Sequence, residues 1–351
     1  MTARVSGRRV SGPERTQVTD GRWPVLVTRR LPKQALDRIA EQCDTTLYEG
    51  EGAMPHERLL SEIAGKVGAV TLLTDKVNDE LLDAAGPQLV IVANYAVGFD
   101  NIDVAALTAR GVMCSNTPDV LTETTADTAW ALMMAAARRV PEGDRFLRSR
   151  TPWIWGPLMM LGQDVNGRVL GIIGFGRIGH AMARRAKGFG MKVLYHDVYR
   201  PSPELERELG AEFRELDDLL AEADFVSIHV NLTDETRHLI SAERLSKMKP
   251  TAVIVNTSRG PVIDEAALAE ALRDGVIFAA GLDVFEREPE VTQLLLELDN
   301  AVVIPHLGSA TVDTRIAMGM LAAENLIAAL EGRKPPTLLN AEAWEARAGT
   351  T

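Results

Sequence analysis

The chain has 351 residues, 46% of them hydrophobic and 25% charged, enough for two ordinary domains of a globular protein. Acids outnumber bases 49 to 38, and the net charge of -11 argues against a grip on nucleic acid or an anionic membrane surface. Two cysteines, Cys43 and Cys114, are too few for a disulfide framework, and CxxC and HExxH spacings are absent, so a reducing, cytoplasmic setting without a bound metal is expected.

Residues 1–23 carry Arg4, Arg8, Arg9, Arg15 and Arg22 among Ser, Gly and Thr, without an apolar core. They read as a disordered tail. An organelle transit segment is the other reading, against which Glu14 and Asp20 count. Regular patterning starts at Pro24. "PVLVTRRLP" predicts a buried strand and a turn, "LPKQALDRIAEQC" a helix, and "VGAVTLLTD" and "QLVIVANYAVGFD" further strands. "TETTADTAWALMMAAARR" predicts a long helix rich in small residues, either a core helix or one packed closely against a second subunit. Its apolar stretch Ala129 to Ala137 is the longest in the chain, about half of what a membrane span needs.

A second alternating series follows. "VLGIIGFG" predicts a strand ending in glycines, and "RIGHAMARRAKGFG" a helix stopped by glycine. "KVLYHD", "DFVSIHV", "TAVIVNTS", "FAAGLDV" and "AVVIPH" predict strands separated by helical pattern. "TVDTRIAMGMLAAENLIAALEG" predicts a last long helix with no strand after it, free to return to the first domain. Short apolar runs alternating with amphipathic helices indicate α/β architecture with doubly wound parallel sheets.

Gly174, Gly176 and Gly179 form G-x-G-x-x-G directly after a strand and at the opening of a helix, the setting that dinucleotide binding requires. The first glycine permits the tight turn, the second a close approach of the pyrophosphate, the third helix–strand packing. Asp197 ends the next strand, 18 residues after Gly179. A carboxylate there accepts from both ribose hydroxyls and repels a 2′-phosphate, so NAD is preferred. NADP stays possible, because Arg200 could swing toward such a phosphate.

Three strand ends beyond the glycines carry Arg259, Glu288 and His306. Taken singly, each has a plain structural reading: a surface arginine in a turn, one acid of the run "FEREPE", a buried core histidine. Together they supply what reduction of a 2-keto acid needs, namely an anion clamp, an orienting carboxylate and a proton donor titrating near neutrality.

"NYAVGFDNID", "TPDVLTETTAD", "GIIGFGRIG", "NTSRGPVID", "GLDVFEREP" and "PHLGSAT" resemble, in order, the motifs of the D-isomer-specific 2-hydroxyacid dehydrogenases, most of all the glyoxylate/hydroxypyruvate reductase branch. The resemblance runs from about Val25 to Asn340, and the separations of Arg259, Glu288 and His306 (29, then 18 residues) agree with it. It implies two Rossmann-like or flavodoxin-like domains with the active site in the cleft between them: residues 24–121 plus 312–345 for substrate, and 122–311 for NAD. His306 would protonate the carbonyl oxygen, Glu288 would hold and charge His306, and Arg259 would bind the substrate carboxylate. The N–H groups of Val97 and Gly98 would also bind it, and Leu73 would line the pocket. Arg177 and Ile178 would lie at the pyrophosphate. Thr125, Thr257, Asp283 and Ser309 would lie near the nicotinamide half, Ser309 also bordering the pocket. In a homodimer, Trp155 would reach the partner's active site or be buried in the interface without touching substrate.

A 3-phosphoglycerate dehydrogenase or another D-2-hydroxyacid dehydrogenase, and an NADH-sensing corepressor, are the alternatives; a formate dehydrogenase is disfavoured. A 3-phosphoglycerate dehydrogenase would prefer a basic phosphate pocket. A formate dehydrogenase would have glutamine at Glu288. An NADH-sensing corepressor of the same fold would keep the Arg-Glu-His set, so the motifs alone do not exclude it. Ser-Arg or a similar pair, common in NADP-using relatives, is replaced here by Asp197-Val198.

Overall fold

The computed structural model describes residues 21–348. Most of the arginine-rich segment therefore lies outside the described residues. The chain divides into two compact units, one made of residues up to Val120 and from Thr311 onward, the other of Leu121–Ala310.

In the first unit, β1 (Trp23–Val27), β2 (Cys43–Leu47), β3 (Gly68–Thr71), β4 (Ile91–Asn94) and β5 (Met113–Ser115) alternate with α1 (Lys33–Ala40), α2 (His56–Ile63), α3 (Asp79–Ala85) and α4 (Val104–Ala109). The strands form one parallel sheet in the order β2-β1-β3-β4-β5, the flavodoxin-like arrangement. β3 and β4 are buried along their whole length, which is why "GAVT" and "IVAN" lack alternation. Asn78 and Asp103 cap α3 and α4 by accepting from Leu81 and Ala106 N–H.

The second unit holds α5 (Thr122–Ala137), α6 (Val140–Arg148), β6 (Val169–Ile173), α7 (Arg177–Gly188), β7 (Lys192–His196), α8 (Pro203–Leu209), β8 (Ala211–Phe213), α9 (Leu216–Glu222), β9 (Phe225–Ile228), α10 (Ala242–Lys247), β10 (Val253–Asn256), α11 (Glu265–Arg273), β11 (Ala279–Leu282), α12 (Gln293–Glu297) and β12 (Ala301–Val303). Its seven parallel strands run β12-β11-β10-β9-β6-β7-β8, so the order reverses between β9 and β6. Alternate residues feed two cores: Ile173, Val226 and Ile254 belong to one cluster, and Leu170, Ile172 and Val255 to another. A sheet buried on both faces follows from that alternation of apolar with apolar. α5 is a core helix of this unit. Ala126, Ala129, Leu132, Met133 and Ala136 are buried, and a Cβ on Gly281 of β11 would lie 2.8 Å from Leu132 Cβ. Gly281 is what permits this close approach, and the small residues Ala126, Ala129 and Ala136 of α5 are buried in the same core.

α13 (Val312–Leu330) returns to the first unit, where it packs on α1, β3 and β4, and α14 (Ala341–Ala348) follows it. Gly319 permits the contact with α1, since a Cβ there would lie 2.7 Å from Ala35 Cβ. Among the described residues no helix is long and apolar enough to cross a membrane. The sequence pattern did not mark β2, β5 or β8. β2 and β8 are half-exposed edge strands, and β5 and β8 have three residues each; each is a strand through pairing with its neighbour rather than through its own composition.

Candidate active site

The three glycines do different work. Gly174 has φ +90°, and a Cβ on it would come within 2.6 Å of the His229 backbone. A Cβ on Gly179 would lie 2.4 Å from the Gly174 carbonyl oxygen. A Cβ on Gly176 would meet nothing within 4 Å, so the middle glycine faces open space. No side chain caps α7 at Gly176, and Arg177 is exposed beside half-buried Ile178. An uncapped helix N-terminus opening onto space, at the point where strand order reverses, fits a pyrophosphate. Asp197 stands against this loop: its Oδ2 accepts from Phe175 N–H at 2.6 Å and its Oδ1 from Tyr199 N–H at 2.9 Å. His229 follows β9 in the run "DFVSIHV". Its Nε2 lies 2.8 Å from Ser227 Oγ, its Nδ1 has no hydrogen-bond partner among the described residues, and burial pushes its pKa down to about 3. It is a neutral imidazole beside the glycine turn.

β10, β11 and β12 are adjacent, with Asn256 paired to Leu282 and Leu282 to Val303. Thr257, Asp283 and the turn bearing His306 therefore leave the same sheet edge. Asp283 is buried, which pushes its carboxyl up, and it holds the turn: Leu307 and Gly308 N–H donate to its carboxylate at 2.5 and 2.7 Å, and His306 N–H donates to its carbonyl at 2.9 Å. These bonds keep His306 at φ +53°, a left-handed conformation costing about 1–2 kcal/mol for a side chain of this kind. A Cβ on Gly308 would lie 3.0 Å from Asp283 Oδ2 and 3.5 Å from Thr125 Cγ2, so Thr125, Asp283 and Gly308 share one corner. Ser309, next to Gly308, and Thr257, next to Asn256, are buried, and Thr257 Oγ1 has no hydrogen-bond partner among the described residues.

His306 is not a core histidine. Its side chain is 32% exposed, and its Nδ1 lies 2.9 Å from Glu288 Oε2. Glu288 is also held through Oε1, which accepts from Phe285 N–H at 3.1 Å. Burial would push the Glu288 carboxyl up. The hydrogen bond and charge of His306, the Phe285 N–H and the Arg259 charge outweigh it and hold the group below the usual carboxylate range. Arg259 follows β10 in a loop fixed by Asn256, whose Nδ2 donates to the Arg259 carbonyl at 2.9 Å and whose Oδ1 accepts from Ser258. The arginine is half-buried, not a free surface residue, and its Nη1 donates to the Ser258 carbonyl at 2.8 Å.

In the first unit, Leu73 and the pair Val97 and Gly98 lie on two loops joined by one polar network. Asp75, buried, accepts from Leu72 N–H at 2.7 Å and Thr28 Oγ1 at 2.5 Å. Asn101 Nδ2 donates to the carbonyls of Leu72 and Asp75 at 3.0 and 2.9 Å. Asn94 Nδ2 donates to the Gly98 carbonyl at 3.1 Å, and Asn116 Nδ2 to the Val97 carbonyl at 2.8 Å. Both carbonyls are thus tied, while neither the Val97 nor the Gly98 N–H has a partner among the described residues. Asn94 and Asn101 lie within the motif "NYAVGFDNID", and Asp75 lies outside it; their part in fixing the two loops is set by tertiary hydrogen bonds that the sequence does not reveal.

Trp155 stands apart, 75% exposed on an arm with Trp153, Ile154, Leu158 and Leu161. The arm is anchored where Gln163 N–H donates to the Ala137 carbonyl at the end of α5.

The NAD-binding domain of the D-isomer-specific 2-hydroxyacid dehydrogenases matches residues 130–308. A glyoxylate reductase of Thermococcus onnurineus is 52% identical over 92% of this chain and 97% of its own length. A protein of Thermus thermophilus superposes with a TM-score of 0.84 at 44% identity, covering 90% of this chain and 99% of that one. An NADPH-dependent glyoxylate/hydroxypyruvate reductase of Sinorhizobium meliloti, solved with NADP and malonate, superposes with a TM-score of 0.80 at 35% identity, covering 92% and 98%. With two parallel-sheet units, a glycine loop at the strand-order reversal and a histidine–glutamate pair on the same sheet's carboxyl edge, the chain belongs to the D-isomer-specific 2-hydroxyacid dehydrogenase family.

Proposed function

We propose that this chain is an NAD(P)H-dependent reductase that converts glyoxylate to glycolate and hydroxypyruvate to D-glycerate. The observation that carries the reading is the 2.9 Å pair of His306 Nδ1 and Glu288 Oε2 beyond the ends of β11 and β12, in the unit that carries the glycine loop. When bound, the nicotinamide supplies a hydride to the carbonyl carbon. With Nδ1 taken up by Glu288, the Nε2–H of His306 is the atom that donates a proton to the carbonyl oxygen, leaving a neutral ring. Glu288 fixes the ring through its 2.9 Å contact with Nδ1. Arg259 clamps the carboxylate and polarises the carbonyl. In the first unit, the unbonded N–H groups of Val97 and Gly98 support a carboxylate-binding role.

Asp197 supports NADH over NADPH. The exposed apolar arm bearing Trp155, with Val140 and Leu147 exposed on α6, supports a homodimer. Two buried, unbridged cysteines fit a reducing cytoplasm. The reading is tested by a panel of glyoxylate, hydroxypyruvate and pyruvate with each cofactor. Fast NADH oxidation with the first two supports it. Tight NADH binding without turnover of any short keto acid would point to a cofactor sensor instead. Trp155→Ala that leaves substrate preference unchanged in an intact dimer would remove the specificity role of that residue.

A further inference from the structure

We infer that Glu265 is the positioning residue of the Glu288–His306 pair, a role that rests on the reductase reading. Glu265 opens α11, where an acid is ordinarily a solvated helix-dipole partner. Here it is 7% exposed. Its two oxygens reach back to the loop after β11: Oε2 accepts from Glu286 N–H at 2.7 Å and Oε1 from Thr292 N–H at 2.8 Å. Glu288 lies between those two anchor points. Glu286 returns the contact, its Oε1 accepting from Glu265 N–H at 3.0 Å and lying 2.8 Å from His238 Nε2. One carboxylate therefore closes both ends of the loop whose middle residue holds the proton donor.

The same loop touches the arginine. A Cβ on Gly260 would fall 1.9 Å from the Phe285 carbonyl carbon and 2.4 Å from Glu286 N, so the Arg259–Gly260 turn rests on the first peptide of the Glu288 loop. Fixing Glu286 thus sets Glu288 with respect to Arg259 as well as to His306. Only a carboxylate does this. It offers two acceptor oxygens to two N–H donors, whereas glutamine offers one acceptor and turns its NH2 against the second donor.

The test is a double-mutant cycle read with amide exchange. Glu265→Gln should lower kcat for glyoxylate about tenfold or more, with KM and NADH affinity changed by less than about twofold, since a small misplacement costs rate before binding. Placed in a Glu288→Gln background, the same change should cost less than about twofold, because a residue acting through Glu288 has nothing left to position. Amides of 285–292 should exchange faster in Glu265→Gln, with those of 169–188 unchanged. Glu265→Asp, which keeps both acceptors on a shorter arm, should fall between wild type and Glu265→Gln, and it carries the test if the glutamine variant does not fold. An equal loss of kcat in both backgrounds, or unaltered exchange in 285–292, overturns the assignment. A wild-type protein that turns over no keto acid defeats the reductase reading instead, and the exchange result alone then decides the role of Glu265.

Discussion

Arg200 lies over the ring of Phe213, its Cζ 3.8 Å from the ring centroid. Arg200 follows Asp197 by three residues, and Phe213 ends β8, the strand beside β7. An arginine that could favour a 2′-phosphate is therefore held over an aromatic ring, and on the proposed reading Asp197 repels that phosphate. We expect kcat/KM for NADH to exceed that for NADPH by about tenfold or more. The stacking is worth only about 0.5–1 kcal/mol at an exposed site, roughly a two- to fivefold effect, so Phe213→Ala should narrow the ratio by no more than that. Asp197→Ser should narrow it by more than about tenfold, since it removes the repelling charge and a ribose acceptor together. Equal use of both cofactors by the wild-type protein would refute the preference.

Replacing His306 with asparagine removes the proposed proton donor and keeps a side chain of similar polarity. General acid catalysis contributes about 10²–10⁴-fold, so kcat for glyoxylate should fall by about a thousandfold. NADH affinity, measured by fluorescence titration, should hold within about twofold, because the glycine loop and Asp197 are untouched. A variant retaining near wild-type turnover would rule out His306 as the donor.

Glu288 gives a pH-dependent stability with a defined sign. Its folded-state carboxyl is held below the ordinary value of 4.5. A depressed carboxyl contributes stability that is fully present above the ordinary value and is lost as pH falls through the folded one. The melting temperature of the wild-type protein should therefore fall more steeply below pH 4.5 than that of Glu288→Gln, with parallel curves from there up to pH 5.5. Parallel curves throughout the acid range would show that the pair contributes nothing to folding.

Gly260→Ala sets a methyl group against the Phe285–Glu286 peptide, where a backbone rather than a flexible side chain must yield. Overpacking of this kind costs about 1–3 kcal/mol, readable in chemical denaturation. Because the turn carries Arg259 on one side, kcat/KM for glyoxylate should fall together with stability. Full stability and activity in the alanine variant would mean that the two loops are not in register.

The parts legible from sequence were those written in local backbone demands. Gly174, Gly176 and Gly179 stand at fixed spacing because one turn and one helix start need them, and that demand acts over six residues. The alternation of strand and helix was legible for the same reason, and so were the long helices α5 and α13. β2 and β8 were not, because an edge strand such as "CDTTL" or "AEF" acquires its conformation from the partner it pairs with. Glu265 was the least legible. In "DEAAL" it is one more first-turn acid, and only the tertiary fold brings it to N–H groups 21 and 27 positions downstream. Arg200 could not be placed either, since the ring it stacks on belongs to a strand that the pattern did not mark.

The first unit's two open donors, the N–H groups of Val97 and Gly98, belong to the main chain, and their carbonyls are tied down by Asn116 and Asn94. Any codon change at either position short of one for proline leaves the donor in place. Leu73 offers only a side chain, which a single base change can enlarge, shrink or make polar. On the proposed reading, a lineage of such proteins can therefore wander among 2-keto acids of different bulk while its demand for a carboxylate stays out of reach of most mutations.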